Sequence, residues 1–331
     1  MNQDVHHRNL SERLANFTYF LVTGASGFLG KAVVKKLQDL NKKVLCLSSI
    51  DVDLRDQQAT NMYFEQFMQG QGVIVNKIDV IIHCAVQGGG IGWMKDHPVE
   101  SFVDNMYINS NLMVAAHHIG VQRFIGVSSA CVYPRIGNLP FVESEIWHGY
   151  PEPINGGYAL SKRIMMEMGK AYAQQYDFYA VFPVLANLYG VGDHLSEERA
   201  HVIADLMLRC AQKPKELTVW GTGTCTREFL YVDDAVEGIL SMVDAPKGSI
   251  VNIGSGQEVA ILDLAYKIIS AFGLSIDVVL DSSKPDGQPR KVMDVQKARK
   301  ILGFKSKISL EEGLKRTVDW YTDEIDRGIH G

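Results

Sequence analysis

The sequence places a phenol and an ammonium group four residues apart, Tyr158 and Lys162, in a segment predicted to be helical over 159–175. Residues at positions i and i+4 share one face of a helix, so the lysine charge can lie beneath the phenol. A neighbouring cation favours the phenolate and is expected to lower the pKa of Tyr158, as proton exchange near neutral pH requires. Of the 13 tyrosines, only Tyr158 has a lysine at this spacing. Taken alone, the pair is also compatible with a surface lysine lying past a half-buried tyrosine.

A second polar group precedes this helix, where Ser128 and Ser129 end the apolar run 123–128. In open α/β sheets, ligands bind outside the carboxyl ends of the strands. Ser129 can therefore donate a hydrogen bond to a substrate carbonyl oxygen, and Tyr158 can deliver a proton to the same oxygen.

Three glycines, Gly24, Gly27 and Gly30, lie between the apolar run 17–23 and a helical periodicity over 31–40. Glycines between a strand and a helix permit a tight turn and let a pyrophosphate approach the helix N-terminus. The spacing predicts a nucleotide site, with a plain strand-to-helix turn as the alternative.

The second strand, 44–47, is followed by Ser48 and Ser49 where many NAD-binding units carry an acidic residue for the ribose. Small neutral residues do not repel a 2′-phosphate, so the sequence favours NADP(H), with NAD possible. Asp53 is placed to meet the adenine. Arg55 either reaches the phosphate or belongs to a turn before a helix over 57–69.

Further apolar strands, at 78–85, 123–128 and 179–183, alternate with helical segments. This alternation predicts an α/β fold, a doubly wound, Rossmann-like parallel sheet with a smaller C-terminal α/β lobe for the substrate. We predict a cofactor-binding domain over 16–186, to which 230–253 returns, and assign 187–229 and 254–331 to the substrate lobe.

Composition excludes several classes of protein. A formal charge of −5 over 331 residues gives no basic surface for nucleic acid. Five widely spaced cysteines without a C-x-x-C pattern predict neither a disulfide framework nor a metal site, and favour a reducing, cytoplasmic location. No apolar run reaches the length of a membrane span, and the polar segment 1–16 is expected to be a short extension, partly disordered, without a signal peptide.

The glycine spacing, Ser129 and Tyr158-x-x-x-Lys162 resemble the extended short-chain dehydrogenase/reductase superfamily over nearly the whole chain. Later motifs are similar to the GDP-L-fucose synthase family, which are NADPH-dependent 3,5-epimerase/4-reductases of GDP-4-keto-6-deoxymannose. These motifs are Ser129-Ala-Cys131-Val-Tyr-Pro134, Glu152-Pro-Ile-Asn155, Asn187-Leu-Tyr-Gly190, His201-Val-Ile203, Val219-Trp-Gly-Thr-Gly223, Arg227-Glu-Phe-Leu-Tyr-Val-Asp-Asp234 and Ser283-Lys-Pro-Asp-Gly-Gln-Pro-Arg290.

The resemblance implies roles for particular residues. Ser129, Tyr158 and Lys162 would form the catalytic triad, and Cys131 and His201 would be the base and acid that invert C3 and C5. The implied cofactor site comprises Gly24, Gly27, Phe28, Leu29, Gly30, Ser48, Asp53, Leu54, Ala85, Tyr158, Lys162 and His201. The implied GDP-sugar site comprises Asn187, Val202, Arg209, Trp220, Arg227, Lys284 and Arg290. Arg209 is expected on the same helix face as His201, within a helix over 197–211, and a homodimer through a helix pair that includes the Tyr158 helix is implied.

Two departures from that family leave alternatives open. Ala25 and Ser26 stand where the family often carries a basic residue, and Asn155-Gly-Gly-Tyr158 replaces a bulkier approach to the tyrosine. The alternatives are a redox-neutral NDP-sugar epimerase with tightly bound NAD(P), and a 4-keto reductase of a related GDP-sugar such as a heptose. A non-catalytic dinucleotide-sensing regulator is a third, although such proteins usually lose the triad.

Overall fold

The computed structural model describes residues 8–68, 77–193, 201–284 and 287–326, and all elements below lie within them. The strands are β1 (Tyr19–Thr23), β2 (Lys43–Leu47), β3 (Val80–His83), β4 (Arg123–Gly126), β5 (Ser128–Ser129), β6 (Ala180–Leu185), β7 (Asn187–Tyr189), β8 (Glu216–Trp220), β9 (Thr226–Tyr231), β10 (Ile250–Ile253), β11 (Glu258–Ala260), β12 (Asp277–Asp281) and β13 (Arg290–Lys291). The helices are α1 (Leu10–Arg13), α2 (Phe28–Asp39), α3 (Gln57–Met68), α4 (Ile91–Asp96), α5 (Asn105–His118), α6 (Gly156–Tyr176), α7 (Val202–Ala211), α8 (Val232–Ser241), α9 (Ile261–Ala271), α10 (Gln296–Leu302) and α11 (Leu310–Asp326).

Seven of these strands form one parallel sheet in the order β10-β6-β4-β3-β1-β2, with β5 also paired to β6. Helices α3, α5 and α6 pack together on one side, and α2 and α8 pack together on the other. The central strands β3, β4 and β6 consist almost entirely of buried apolar residues, as a sheet covered on both faces requires. The doubly wound α/β fold predicted from the sequence is confirmed.

Two smaller sheets continue the chain beyond β6. Strands β11, β9 and β13 pair in that order with β7 against β9, and β8 pairs with β12. Their apolar side chains form a second buried cluster with α7, α9 and α11, separate from the core of the large sheet. Strand β10 then returns to the large sheet beside β6. No described helix combines the length and apolarity needed to cross a bilayer.

The described part of the N-terminal extension, residues 8–16, packs against the rest of the fold. Asn9 and Glu12 cap the short helix α1 reciprocally, and Leu10 and Leu14 are buried. The buried Arg13 forms an ion pair of 2.8 Å with Asp244 and donates a hydrogen bond to the carbonyl of residue 302. These contacts attach the extension to the turn that follows α8 and to the end of α10.

Candidate active site

A cavity of about 760 Å³ opens at the carboxyl ends of the strands of the large sheet. Its lining brings together every residue that the sequence predicted to be catalytic or cofactor-binding. These are Gly24, Gly27, Phe28, Leu29, Gly30, Ser48, Asp53, Leu54, Ala85, Ser129, Cys131, Tyr158, Lys162 and His201. Asn187 from the predicted substrate set lines it too.

The glycine turn between β1 and α2 has no room for side chains at two of its three positions. Gly24 has a φ of +65°, and a Cβ there would lie 2.8 Å from the backbone of Ala85. A Cβ on Gly30 would lie 2.0 Å from the carbonyl oxygen of Gly24. Gly27 is less constrained, because its nearest neighbour would be 3.4 Å away. Here, then, the backbone itself lines the cavity beside the N-terminus of α2.

The hydroxyl group of Ser129 contacts both Cys131 and Tyr158. Its Oγ accepts a hydrogen bond of 3.3 Å from the backbone N–H of Cys131, because Ser129 caps the 3₁₀ turn 130–132. The same hydroxyl forms a hydrogen bond with the phenol of Tyr158. The carboxyl end of β5 and the N-terminal turn of α6 therefore meet at the predicted catalytic groups.

The sequence-based expectation for the pKa of Tyr158 is wrong. Burial raises the pKa of the phenol, the neighbouring Cys131 raises it further, and only the hydrogen bond with Ser129 opposes these effects. Lys162 lies with its Nζ 5.9 Å from the centroid of the Tyr158 ring. Burial lowers the pKa of Lys162 itself to about 8. Desolvation thus outweighs the attraction that helix spacing alone suggested.

A buried chain of polar groups lies beneath Lys162. The Nδ1 atom of His83 accepts a hydrogen bond of 2.8 Å from Thr23, and its Nε2–H donates one of 2.9 Å to Asn109. Asn109 in turn donates to the carbonyl of Ser161 at 3.3 Å. Burial, reinforced by the charge of Lys162, lowers the pKa of His83 to about 3, so the ring is neutral. This chain joins β1, β3 and α5 to α6 next to the lysine.

Two side chains fix the Cys131 turn against α6. Arg163, which is buried, donates from Nε to the carbonyl of Val132 and from one terminal nitrogen to that of Gly149, both at 2.8 Å. Asn155 immediately precedes α6, and its Nδ2 lies 3.3 Å from the sulfur of Cys131.

The opposite end of the cavity, near β2, contains a small polar cluster. Ser48 donates from its backbone N–H and its hydroxyl to one carboxylate oxygen of Asp51, at 2.8 and 2.7 Å. Arg55 also lines the cavity, and it pairs with Asp53 at 2.8 Å and with Asp104 at 3.1 Å. Arg55 therefore lies at the predicted cofactor site, and its pair with Asp53 stabilises the turn before α3.

His201 lies at the edge of the cavity but not inside a helix. It occupies the position before α7, with ψ of 168°, and its carbonyl accepts the N–H of Asp205 at 2.8 Å. Residues 194–200, the start of the predicted helix, lie outside the described residues. Arg209 lies eight residues after His201 on α7, and it pairs with Asp205 at 2.6 Å and with the carbonyl of Thr218.

The remaining predicted substrate residues lie on α7 and on or beside the smaller sheets, and the described lining of the cavity does not include them. Lys284 places its Nζ 5.5 Å from the centroid of Trp220, which is 59% exposed. Arg227 donates to the carbonyls of Thr226 and Gln288, and Arg290 pairs with Glu258. Val202 packs against the second apolar cluster. Asn187 differs from them because it lines the cavity while donating to the carbonyl of Glu228 at 2.8 Å.

Several lining residues escaped the sequence-based prediction. Cys84 and Gly88 line the cavity after β3, and Ser128 contributes a buried hydroxyl that has no hydrogen-bond partner among the described residues. Burial raises the pKa of Cys84 to about 12, and the charge of Lys162 opposes this rise. The glycine-rich run after β3 was a usable signal for a close backbone approach, whereas nothing local distinguished Cys84 from an ordinary core residue.

Comparisons with known proteins agree with this geometry. A GDP-L-fucose synthase from Escherichia coli strain K12 is 33% identical over 92% of this chain and 97% of its own length. GDP-L-fucose synthase 1 from Arabidopsis thaliana is 34% identical over 92% of this chain and 93% of its own. A crystal structure of a GDP-L-fucose synthetase from Naegleria fowleri bound to NADP superposes with a TM-score of 0.81, at 28% identity over 93% of this chain and 94% of that one.

The chain can be assigned to a family because the sequence pattern shared by that family matches most of its length. The NAD dependent epimerase/dehydratase family matches residues 20–254, which span the glycine turn, the triad and the return of β10 to the large sheet. The resemblance inferred from the motifs, and with it an NAD(P)-dependent enzyme, is confirmed. The chain belongs to the NAD dependent epimerase/dehydratase family.

Proposed function

We propose that this protein is an NADPH-dependent epimerase/reductase that acts on a GDP-linked 4-keto-6-deoxy sugar. The observation that carries the proposal is the convergence of Ser129, Cys131, Tyr158 and His201 on one cavity that the glycine turn also lines. The similarity to GDP-L-fucose synthases over more than nine-tenths of the chain supports a GDP-sugar as substrate. The NADP bound to the Naegleria fowleri relative supports NADP(H) as the cofactor.

The cavity fits a dinucleotide at the glycine turn. Gly24 and Gly30 leave only backbone beside the N-terminus of α2, where a pyrophosphate is favoured. Ser48 and Asp53 would meet the adenosine half, and Tyr158 with Lys162 would meet the nicotinamide ribose. When bound, the cofactor supplies a hydride for the ketone carbon.

The epimerisation uses the acidity that a C4 ketone gives to the hydrogens on C3 and C5. Cys131 removes a proton as a thiolate, and His201 returns one to the opposite face as an imidazolium. Ser129 and Tyr158 direct their hydroxyl groups at the oxygen of the enolate that forms between these steps.

The reduction requires a proton for the C4 oxygen, and Tyr158 provides it. Because burial raises the pKa of this phenol, it holds its proton until the oxygen becomes an alkoxide. Lys162, charged below its pKa of about 8, stabilises the phenolate left behind. Outside the cavity, we propose that Arg227, Lys284 and Arg290 bind the diphosphate, with Trp220 and Val202 around the base and sugar. Asn187 would contact the sugar from the cavity lining.

A homodimer and a cytoplasmic location remain part of the proposal. Ile164 on α6, the helix of Tyr158, is 38% exposed, and Tyr107 on the neighbouring α5 is 50% exposed, so we propose these two helices as the dimer interface. All five cysteines are free, as suits a reducing compartment.

Spectrophotometry with the purified protein and the 4-keto sugar tests the reductase half. We expect NADPH absorbance to fall in proportion to the sugar added. If sugar stereochemistry changes with no loss of NADPH, the protein is a redox-neutral epimerase, and the proposed reductase is wrong. Presenting a 4-keto heptose linked to GDP in parallel separates the two sugar classes by their kcat/KM.

Solvent exchange tests the epimerase half. In D₂O, Cys131→Ser and His201→Gln should each lower deuterium entry at C3 and C5, because each removes one proton-transfer group. Cys46→Ser, which alters an exposed cysteine on β2, is the matched control and should exchange at the wild-type rate. Undiminished exchange at both carbons in both active-site variants would exclude these roles.

A further inference from the structure

The buried side chain of Asn155 directly contacts the sulfur of Cys131. Asn155 is 5% exposed, and its Nδ2 lies 3.3 Å from Sγ, within hydrogen-bonding distance for sulfur. Its Oδ1 is buried without a hydrogen-bond partner among the described residues. A buried amide with one end on a sulfur and the other unsatisfied is costly for stability alone, which suggests that the position serves the site.

Backbone geometry determines where this amide can point. Asn155 ends the 3₁₀ turn 153–155 and stands at the position before α6, with φ of −109° and ψ of 17°. Asparagine at such a position commonly caps its own helix, yet Asn155 makes no side-chain capping hydrogen bond. The side chain is instead directed across to the turn that carries Cys131.

We infer that Asn155 is a positioning residue for Cys131, whose amide N–H stabilises the thiolate and fixes its direction. A hydrogen bond to the charged form of an acid favours that form over the neutral one. The inference rests on the proposed function, since it gives Asn155 a task only if Cys131 exchanges protons with the substrate. Asn155 itself touches the sulfur and is not assigned to the reacting atoms.

Other groups also interact with Cys131, and the Asn155 variants compared below leave these groups unchanged. Tyr158 from α6 and Arg227 from β9 are ionisable and interact electrostatically with it. Ser129 accepts the backbone N–H of Cys131 and not its sulfur. Among the hydrogen bonds of the described residues, the amide of Asn155 is the contact made to Sγ.

The test measures the pH dependence of Cys131 alkylation by iodoacetamide in the full-length protein, followed by mass spectrometry of the peptide that contains it. Asn155→Ala removes the donor and should move the midpoint upward by about one pH unit. Asn155→Asp keeps the shape but places carboxylate oxygens on the sulfur, so its midpoint should rise at least as far. Asn111→Ala, which removes an equally buried amide bonded to backbone carbonyls, should leave the midpoint unchanged.

A purely structural role of Asn155 predicts different alkylation midpoints for its variants. If Asn155 only fills space, Asn155→Leu, which has a similar volume and no donor or charge, should behave like the wild type, and that result would overturn the inference. An unchanged midpoint in Asn155→Ala would overturn it as well. If Asn155→Ala does not fold, Asn155→Leu still decides the question.

Alkylation does not require turnover, so this result is independent of the proposed reaction. A shifted midpoint together with normal deuterium exchange in Cys131→Ser would retain the contact and reject the proton-transfer role of the thiol. An unshifted midpoint with slow exchange in Cys131→Ser would retain the proposed function and reject the role of Asn155.

Discussion

At the scale of single residues, the site combines ionisable groups that burial moves in opposite directions. Burial raises the pKa of Tyr158 and lowers that of Lys162, so each group is driven toward its neutral form. A neutral phenol is a proton donor, and a lysine with a pKa near 8 keeps its charge at neutral pH only at a cost in stability. Such costs are common at sites selected for chemistry.

That cost can be measured with Lys162→Met. The pKa of Lys162 falls from 10.5 to about 8 on folding, which corresponds to roughly 3 kcal/mol of destabilisation while the group is charged in both states. We expect the variant to gain up to about 3 kcal/mol in free energy of unfolding at pH 7 and to lose NADPH oxidation. The gain should shrink as pH rises from 8 and vanish above 10.5, where both states are neutral.

Lys170→Met serves as the control for this measurement. Lys170 lies on the same helix with its side chain 71% exposed, so its replacement should change stability by less than about 0.5 kcal/mol. A Lys162→Met variant that is less stable than wild type at pH 7 would contradict the prediction. Urea titrations at pH 7 and pH 10 measure the free energy of unfolding of the wild type and of both variants.

At the scale of elements, the glycine turn shows how backbone packing prepares a binding site. β1 ends against β3, and α2 starts so close to the turn that Gly30 contacts the carbonyl of Gly24. The helix could not begin there with any side chain at position 30. The same closeness directs the free N–H groups of α2 toward the cavity.

We therefore expect Gly30→Ala to be far more damaging than Gly27→Ala. The added methyl group at position 30 would overlap backbone atoms that cannot rotate away, and should cost at least about 2 kcal/mol in free energy of unfolding. At position 27, where the nearest atom is 3.4 Å away, the cost should stay below about 1 kcal/mol. Denaturant unfolding without cofactor measures the free energy of unfolding of each variant. Equal losses in Gly30→Ala and Gly27→Ala would contradict the prediction and mean that the turn relaxes around the added methyl group.

At the scale of the whole molecule, the cavity exists because the chain leaves the large sheet after β6 and comes back with β10. The residues around it come from positions 24 to 201, and His201 is presented from the start of α7 in the smaller lobe. The neutral His83 contributes to the stability of the whole fold, because its hydrogen bonds join β1, β3 and α5 and continue through Asn109 to α6.

His83 should make the whole fold sensitive to acid. Its pKa is about 3 in the folded protein and near 6.5 when unfolded, so the unfolded chain binds an extra proton between these values. The free energy of unfolding should therefore fall by about 2 kcal/mol from this residue alone as pH drops from 6.5 to 5. His83→Gln should flatten that part of the pH profile, while His148→Gln, at an exposed histidine, should not.

The sequence alone determined the order of the strands and helices around the site. The apolar runs predicted β3, β4 and β6 within a few residues, because buried parallel strands have few polar residues. Fixed local spacings were equally informative, as in Gly24 to Gly30 and in Tyr158 to Lys162. By contrast, the short strands β7, β11 and β13 were not predicted, since pairing with β9 and not a local pattern holds them in place.

Only the tertiary structure decided the environment of each group. Helix spacing suggested that Lys162 would lower the pKa of Tyr158, but burial reversed the direction, and burial depends on all the elements packed around α6. Likewise, the sequence could not show that Asn155 meets Cys131, 24 residues earlier. Distance along the chain fixes which residues share a helix face, whereas desolvation and contacts between elements arise only when the chain is folded.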